Sequence, residues 1–104
     1  MANPWTGEVS VRIDGVPHVC KLTLGALVGL EEALGERSLV ELAERFESGA
    51  FSSRDVMAVI VAGLRGGGWR GMSSDLMTVE IEGGPVGAAK VAALLLTRAF
   101  SVPA

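Results

Sequence analysis

The chain opens on an alternation. Val9, Val11 and Ile13 are interleaved with Ser10 and Arg12 behind Glu8, the period of a strand with one buried face. Asp14-Gly15 follows, a pair that tolerates the positive φ of a type I′ turn. A two-residue turn there fixes the register. Ile13 lies opposite Val16, Val11 opposite His18, Val9 opposite Cys20, and Glu8 across from Lys21 on the solvent side. His18, Cys20, Leu22 and Leu24 become the inward row of the second strand, and Trp5 faces inward on the first. Pro17 falls opposite Arg12 at a non-hydrogen-bonded site, so its missing N–H points away from strand one and that flank is an edge. The hairpin spans about residues 5–24.

From Thr23 the period becomes helical. Thr23 caps a helix to about Leu34 with Leu27, Leu30 and Leu34 on one face and Gly35 as its stop. Ser38 and Glu41 are spaced as a capping box before a stripe of Leu39, Leu42, Ala43 and Phe46, which ends at Gly49. Ser52 and Ser53 open a third helix, Arg54 to Arg65, apolar almost all round and therefore central. Gly66-Gly67-Gly68 stops it as a mobile joint, and Trp69-Arg70-Gly71 loops out. Ser73 or Ser74 starts a short helix carrying Leu76, Met77, Val79 and Ile81 and ending at Gly83-Gly84. Pro85 suits the first turn of a last helix with Val86, Val91, Leu94, Leu95, Leu96 and Phe100. The tail from Ser101 to Ala104 frays. The expected fold is α+β: an N-terminal antiparallel hairpin packed on about five short helices (residues 24–100), in one domain, 1–104.

Composition narrows the function classes. With 49% apolar and 20% charged residues among 104, the chain has enough apolar surface to offset its conformational entropy, which excludes a disordered acidic tail. A net charge of −3 argues against a nucleic-acid binder, which needs a basic stripe to displace counterions. Three Phe, two Trp and no Tyr are too few for a base-stacking platform. No apolar run approaches a membrane span and no secretory leader opens the chain, so the expected location is cytoplasmic.

The residues that could carry chemistry do not assemble into a set. His18 is the only histidine and Cys20 the only cysteine, too few for a zinc site, and two positions apart along a pleat they are poorly placed to bond. Each reads better as a strand residue, Cys20 as a small buried hydrophobe. Glu31, Glu32, Glu36, Glu41, Glu44 and Glu47, with Arg37 and Arg45 interleaved, read as the solvated faces of two amphipathic helices, at most an acidic docking surface. The glycine run lacks the strand before it and the Lys-Ser/Thr after it that a phosphate loop requires. Trp69 beside it either plugs the core or awaits a partner. In the last helix, Val91, Leu95 and Phe100 are assigned to the core, Leu94 and Leu96 to an interface. The residues alone thus point to a non-enzymatic domain for protein contacts, without cofactor or metal.

Several stretches in one register resemble a known family: Asn3-Pro4-Trp5 with Gly7-Glu8, Lys21 through Leu27, Leu30-Glu31, Phe46-Glu47, Phe51-Ser52, Arg54-Asp55-Val56, Gly63 through Trp69, Ile81 through Pro85 and Ala99-Phe100. The chain is similar to a small tail protein of gene transfer agent clusters, phage-like particles. The family is treated mostly as a tail assembly chaperone and also goes under the description of a tail tube-type protein. The chaperone role implies transient binding of the tape measure protein, with the tail tube protein as a second partner, self-association left open, and no nucleic acid or membrane. The chaperone role is the expected one, because a tube subunit closes rings by sheet extension and this chain offers one hairpin and mostly helix. A groove for an amphipathic helix is then expected at Trp69, Leu76, Met77, Leu94 and Leu96. The alternative is a structural tail or neck subunit retained in the particle.

Overall fold

A computed structural model describes residues 7–35 and 38–100. The expectations for Trp5, Glu36, Arg37 and the tail from Ser101 lie outside these residues. Strands β1 (Val9–Ile13) and β2 (Val16–Cys20) pair antiparallel with Val9 opposite Cys20 and Ile13 opposite Val16, the register that the Asp14-Gly15 turn implies. Asp14 and Gly15 both adopt positive φ, 49° and 79°. Val9, Val11 and Ile13 are buried on one face while Ser10 and Arg12 meet solvent. The inward row of β2 holds for Cys20 and Leu22, but Leu24 is 80% exposed. Strand pairing ends at Cys20 and the chain turns into a helix, so alternation no longer governs position 24.

Four α-helices follow, α1 (Leu24–Leu34), α2 (Leu39–Ser48), α3 (Ser53–Gly66) and α4 (Gly84–Ala99). The caps are local chemistry. Thr23 Oγ1 accepts from the Ala26 N–H at 3.1 Å, and Ser38 Oγ accepts from Glu41 at 3.1 Å. The complete reciprocal box is formed by Ser52 and Asp55. Gly49 closes α2 in the left-handed conformation, φ 80°, and Phe46 stacks on Phe51 with ring centroids 4.7 Å apart, bracing the α2–α3 turn.

The helix count is four rather than about five. The expected fourth helix of the sequence is a single 3-10 turn, Ser73–Leu76, after which the chain leaves the helix and lies against the hairpin through one bridge at Ile81 before turning at Glu82. Ile81 bridges Ile13, Glu82 N–H donates to the Arg12 carbonyl at 3.0 Å, and Glu80 N–H donates to the Asp14 carboxylate at 2.9 Å. A helix there would forfeit these bonds to the edge of β1.

Helix α3 is the centre, as its apolar circumference requires: Val59 through Leu64 are all buried, and hairpin and helices feed one core cluster among the described residues. The glycine run at its end is a packing device rather than a mobile joint. A Cβ on Gly66 would sit 1.8 Å from the Lys21 carbonyl oxygen and one on Gly67 1.9 Å from that of Val19. Only glycine lets the last turn of α3 abut β2, where the Lys21 N–H donates to the Gly63 carbonyl at 2.9 Å. Phe100, expected in the core, is exposed at the end of α4.

Candidate functional site

The concave feature of this fold lies between α1 and α3. Gly25, Gly29 and Ala33 recur every four residues along α1, and Ala58, Ala62 and Gly66 along α3, so each helix turns a ladder of small side chains toward the same space. Leu27 and Leu34 pack with the core instead, and the small residues leave the space between the two helices only partly filled. The result is an open groove of about 860 Å³ with a mostly apolar lining. Met57 on α3 and Met77 just beyond the 3-10 turn line it, and Met77 is 72% exposed. Arg54 and Arg65 stand at its two ends, one in the first and one in the last turn of α3. A shallow trough with flexible thioethers and cationic ends is suited to receiving an apolar protein surface of acidic character.

A second feature fixes that trough. Asp55 is 2% exposed, and its carboxylate accepts from Arg45 Nε and Nη2 at 3.0 Å each and from the Ser52 N–H at 2.9 Å. Burial by itself would raise this carboxyl, but the fork of Arg45 and the bonds from Ser52 outweigh it and hold Asp55 below its ordinary value. The pair ties α2 to the start of α3 and so sets where Arg54 and Met57 stand. Asp55 itself is not among the residues that line the trough. Cys20 is fully buried, and burial pushes its thiol up to about 12, which makes it a poor nucleophile. Among the described residues no three His, Cys, Asp or Glu gather as metal ligands, and no helix is long and apolar enough to cross a membrane.

The five residues expected to line a partner groove do not converge. Met77 lines the α1–α3 trough. Leu94 is partly exposed on the outer face of α4 and is not part of that lining, whereas Leu76 and Leu96 are buried in the core. Trp69 is half-buried against the core, its backbone N–H donating to the Leu64 carbonyl at 2.9 Å and its indole covering Gly71. The small-residue ladders carry no large apolar side chain to mark them in the sequence. The spacing of Gly25, Gly29 and Ala33 was the available signal.

A family model described as phage tail tube protein, GTA-gp10, matches residues 6–102. No curated protein and no solved structure matches the chain. The match upholds the resemblance to a gene transfer agent tail family and overturns the expected chaperone role, since the family is described by a structural tail component. The preference for a chaperone rested on the single hairpin, and the family description favours the alternative, a structural tail subunit. With nearly its whole length covered, the chain belongs to the family of the phage tail tube protein, GTA-gp10.

Proposed function

We propose that the chain is a structural subunit of a gene transfer agent tail and stays in the finished particle. The observation that carries this reading is the family match over residues 6–102. The surface supports it. Leu24, Val40, Met77 and Val86 are each more than half exposed, apolar side chains that neighbouring subunits could cover. A subunit retained in an assembly covers such residues permanently. The acidic residues Glu31, Glu32, Glu41, Glu44 and Glu47 lie exposed on α1 and α2 and keep the free chain dispersed before assembly. The partners in this reading are other tail components, the tape measure protein among those a tail tube encloses, with recognition through side chains and no catalytic step.

Quantitative mass spectrometry of purified particles tests the assignment. The expected result is many copies per particle, in fixed ratio to other tail proteins across preparations. Absence from the particle, or a trace amount that washes away, overturns it.

A further inference from the structure

Helix α1 carries a second surface beside the trough. Leu24, Val28, Glu31 and Glu32 are all exposed and, at spacings of four and seven to eight, share one side of the helix. Leu24 is 80% and Val28 49% exposed, so the ridge is apolar in its first turns and doubly acidic in its last. The trough has the complementary layout, an apolar floor with a methionine wall and an arginine at each end. Arg54 and Arg65 are about 16 Å apart along α3 at the ordinary helical rise. The ridge from Leu24 to Glu32 runs about 12 Å by the same rise, so it fits between the arginines with its acidic end against one of them.

Ridge and trough are different faces of one chain, so a contact between them is heterologous: each copy still offers a free ridge at one end and a free trough at the other. We propose that the α1 ridge of one copy docks into the α1–α3 trough of the next, making a head-to-tail contact that repeats. This rests on the retained-subunit reading, which requires a repeating contact, and it names the surfaces that supply one. The occupant is a second copy because the chain itself displays a ridge short enough to lie between the arginines, with exposed apolar side chains for the apolar floor and two glutamates for an arginine. The glycine and alanine floor lets the incoming helix approach closely. One helix ridge buries less than the ~800 Å² per partner of a standard interface. The contact is therefore weak between two free chains and gains strength when many copies are held in one array.

Complementation tests this with exposed positions that leave the core untouched. One variant, Leu24→Asp with Val28→Glu, spoils the ridge. Another, Arg54→Glu with Met77→Asp, spoils the trough. Sedimentation velocity of the wild type at rising concentration is expected to show species growing past dimer. Each variant alone stays monomeric with unchanged circular dichroism, and an equimolar mixture of the two forms a dimer that grows no further, because one intact ridge meets one intact trough. A wild type that stops at a closed dimer, stays monomeric to its solubility limit, or assembles despite both variants overturns the contact. So does cross-linking in particles from position 77 to a different tail protein. Particle composition is read separately, so a chain abundant in particles that fails the complementation removes this contact and leaves the retained-subunit reading standing.

Discussion

Replacing Asp55 with alanine removes a buried carboxylate that ties α2 to α3. The carboxylate accepts two bonds from Arg45 and one from the Ser52 N–H, all between 2.9 and 3.0 Å. Breaking a buried ion pair from one side costs about 3–5 kcal/mol, and losing a helix cap about 1 kcal/mol, with the two overlapping here. The Arg45 side chain keeps 21% exposure and can turn toward water, which places the expected loss near the lower end, about 3 kcal/mol. For a domain of this size that corresponds to a fall in Tm of roughly 12–24 °C. The assay is urea unfolding followed at 222 nm, read as a shifted midpoint at constant slope. The pH dependence supplies the sign. The folded-state value of Asp55 is lowered, so its stabilisation is complete above the unfolded carboxylate value of about 4 and declines as pH falls through the lower folded value. Wild type and Asp55→Ala should therefore differ by a constant amount from pH 5 to 8 and converge below about pH 4. A loss under about 1 kcal/mol at neutral pH would refute the reasoning, as would a difference that persists unchanged into acid.

Three further outcomes follow from packing. Gly66→Ala should lose about 2–3 kcal/mol in the same urea assay, because its Cβ would lie 1.8 Å from the Lys21 carbonyl oxygen and α3 would have to back away from β2; a neutral result would mean that this junction yields easily. Gly29→Ala has nothing within 4 Å and lies inside α1, so it should raise stability by up to about 1 kcal/mol in thermal melts. Cys20 should resist a disulfide exchange reagent at pH 8 in the native protein and react at once in urea, since its thiol is fully buried and pushed up to about 12; rapid native reaction would show that β2 opens readily.

The parts of the fold that were legible in the sequence are those dictated by neighbours in the chain. A two-residue Asp-Gly turn leaves one register, and Thr23, Ser38 and Ser52 can each cap only the helix that follows. What depended on distant contacts was lost. Val79 and Ile81 alternate with Glu80 and Glu82, a strand signal that was absorbed into a helical reading. Its deciding partners, Asp14 and Arg12, lie over sixty residues away. Leu24 was carried inward by extending an alternation beyond the point where the strand ends. The glycines of α3 looked like a joint because the backbone they press against, at Val19 and Lys21, belongs to another element. Of the trough, only Met77 stands out as a large exposed apolar side chain, because its floor is built from glycines and alanines whose spacing carries little hydrophobic signal.

The two-stranded sheet is flanked on both sides. On β1, the carbonyls of Glu8 and Arg12 receive Arg98 Nη1 and the Glu82 N–H, and the Asp14 N–H is bonded to Glu80. On β2, Pro17 has no N–H to offer, and the end of α3 presses against Val19 and Lys21. Among the described residues these contacts occupy both flanks of a sheet only five residues long, which leaves little main chain to template another strand. Growth of a fibre from these residues then falls to side chains more than to backbone ladders. A handful of point changes can retune it without touching the fold, whereas the runaway edge-to-edge stacking that sheet-built polymers must guard against finds little room to begin.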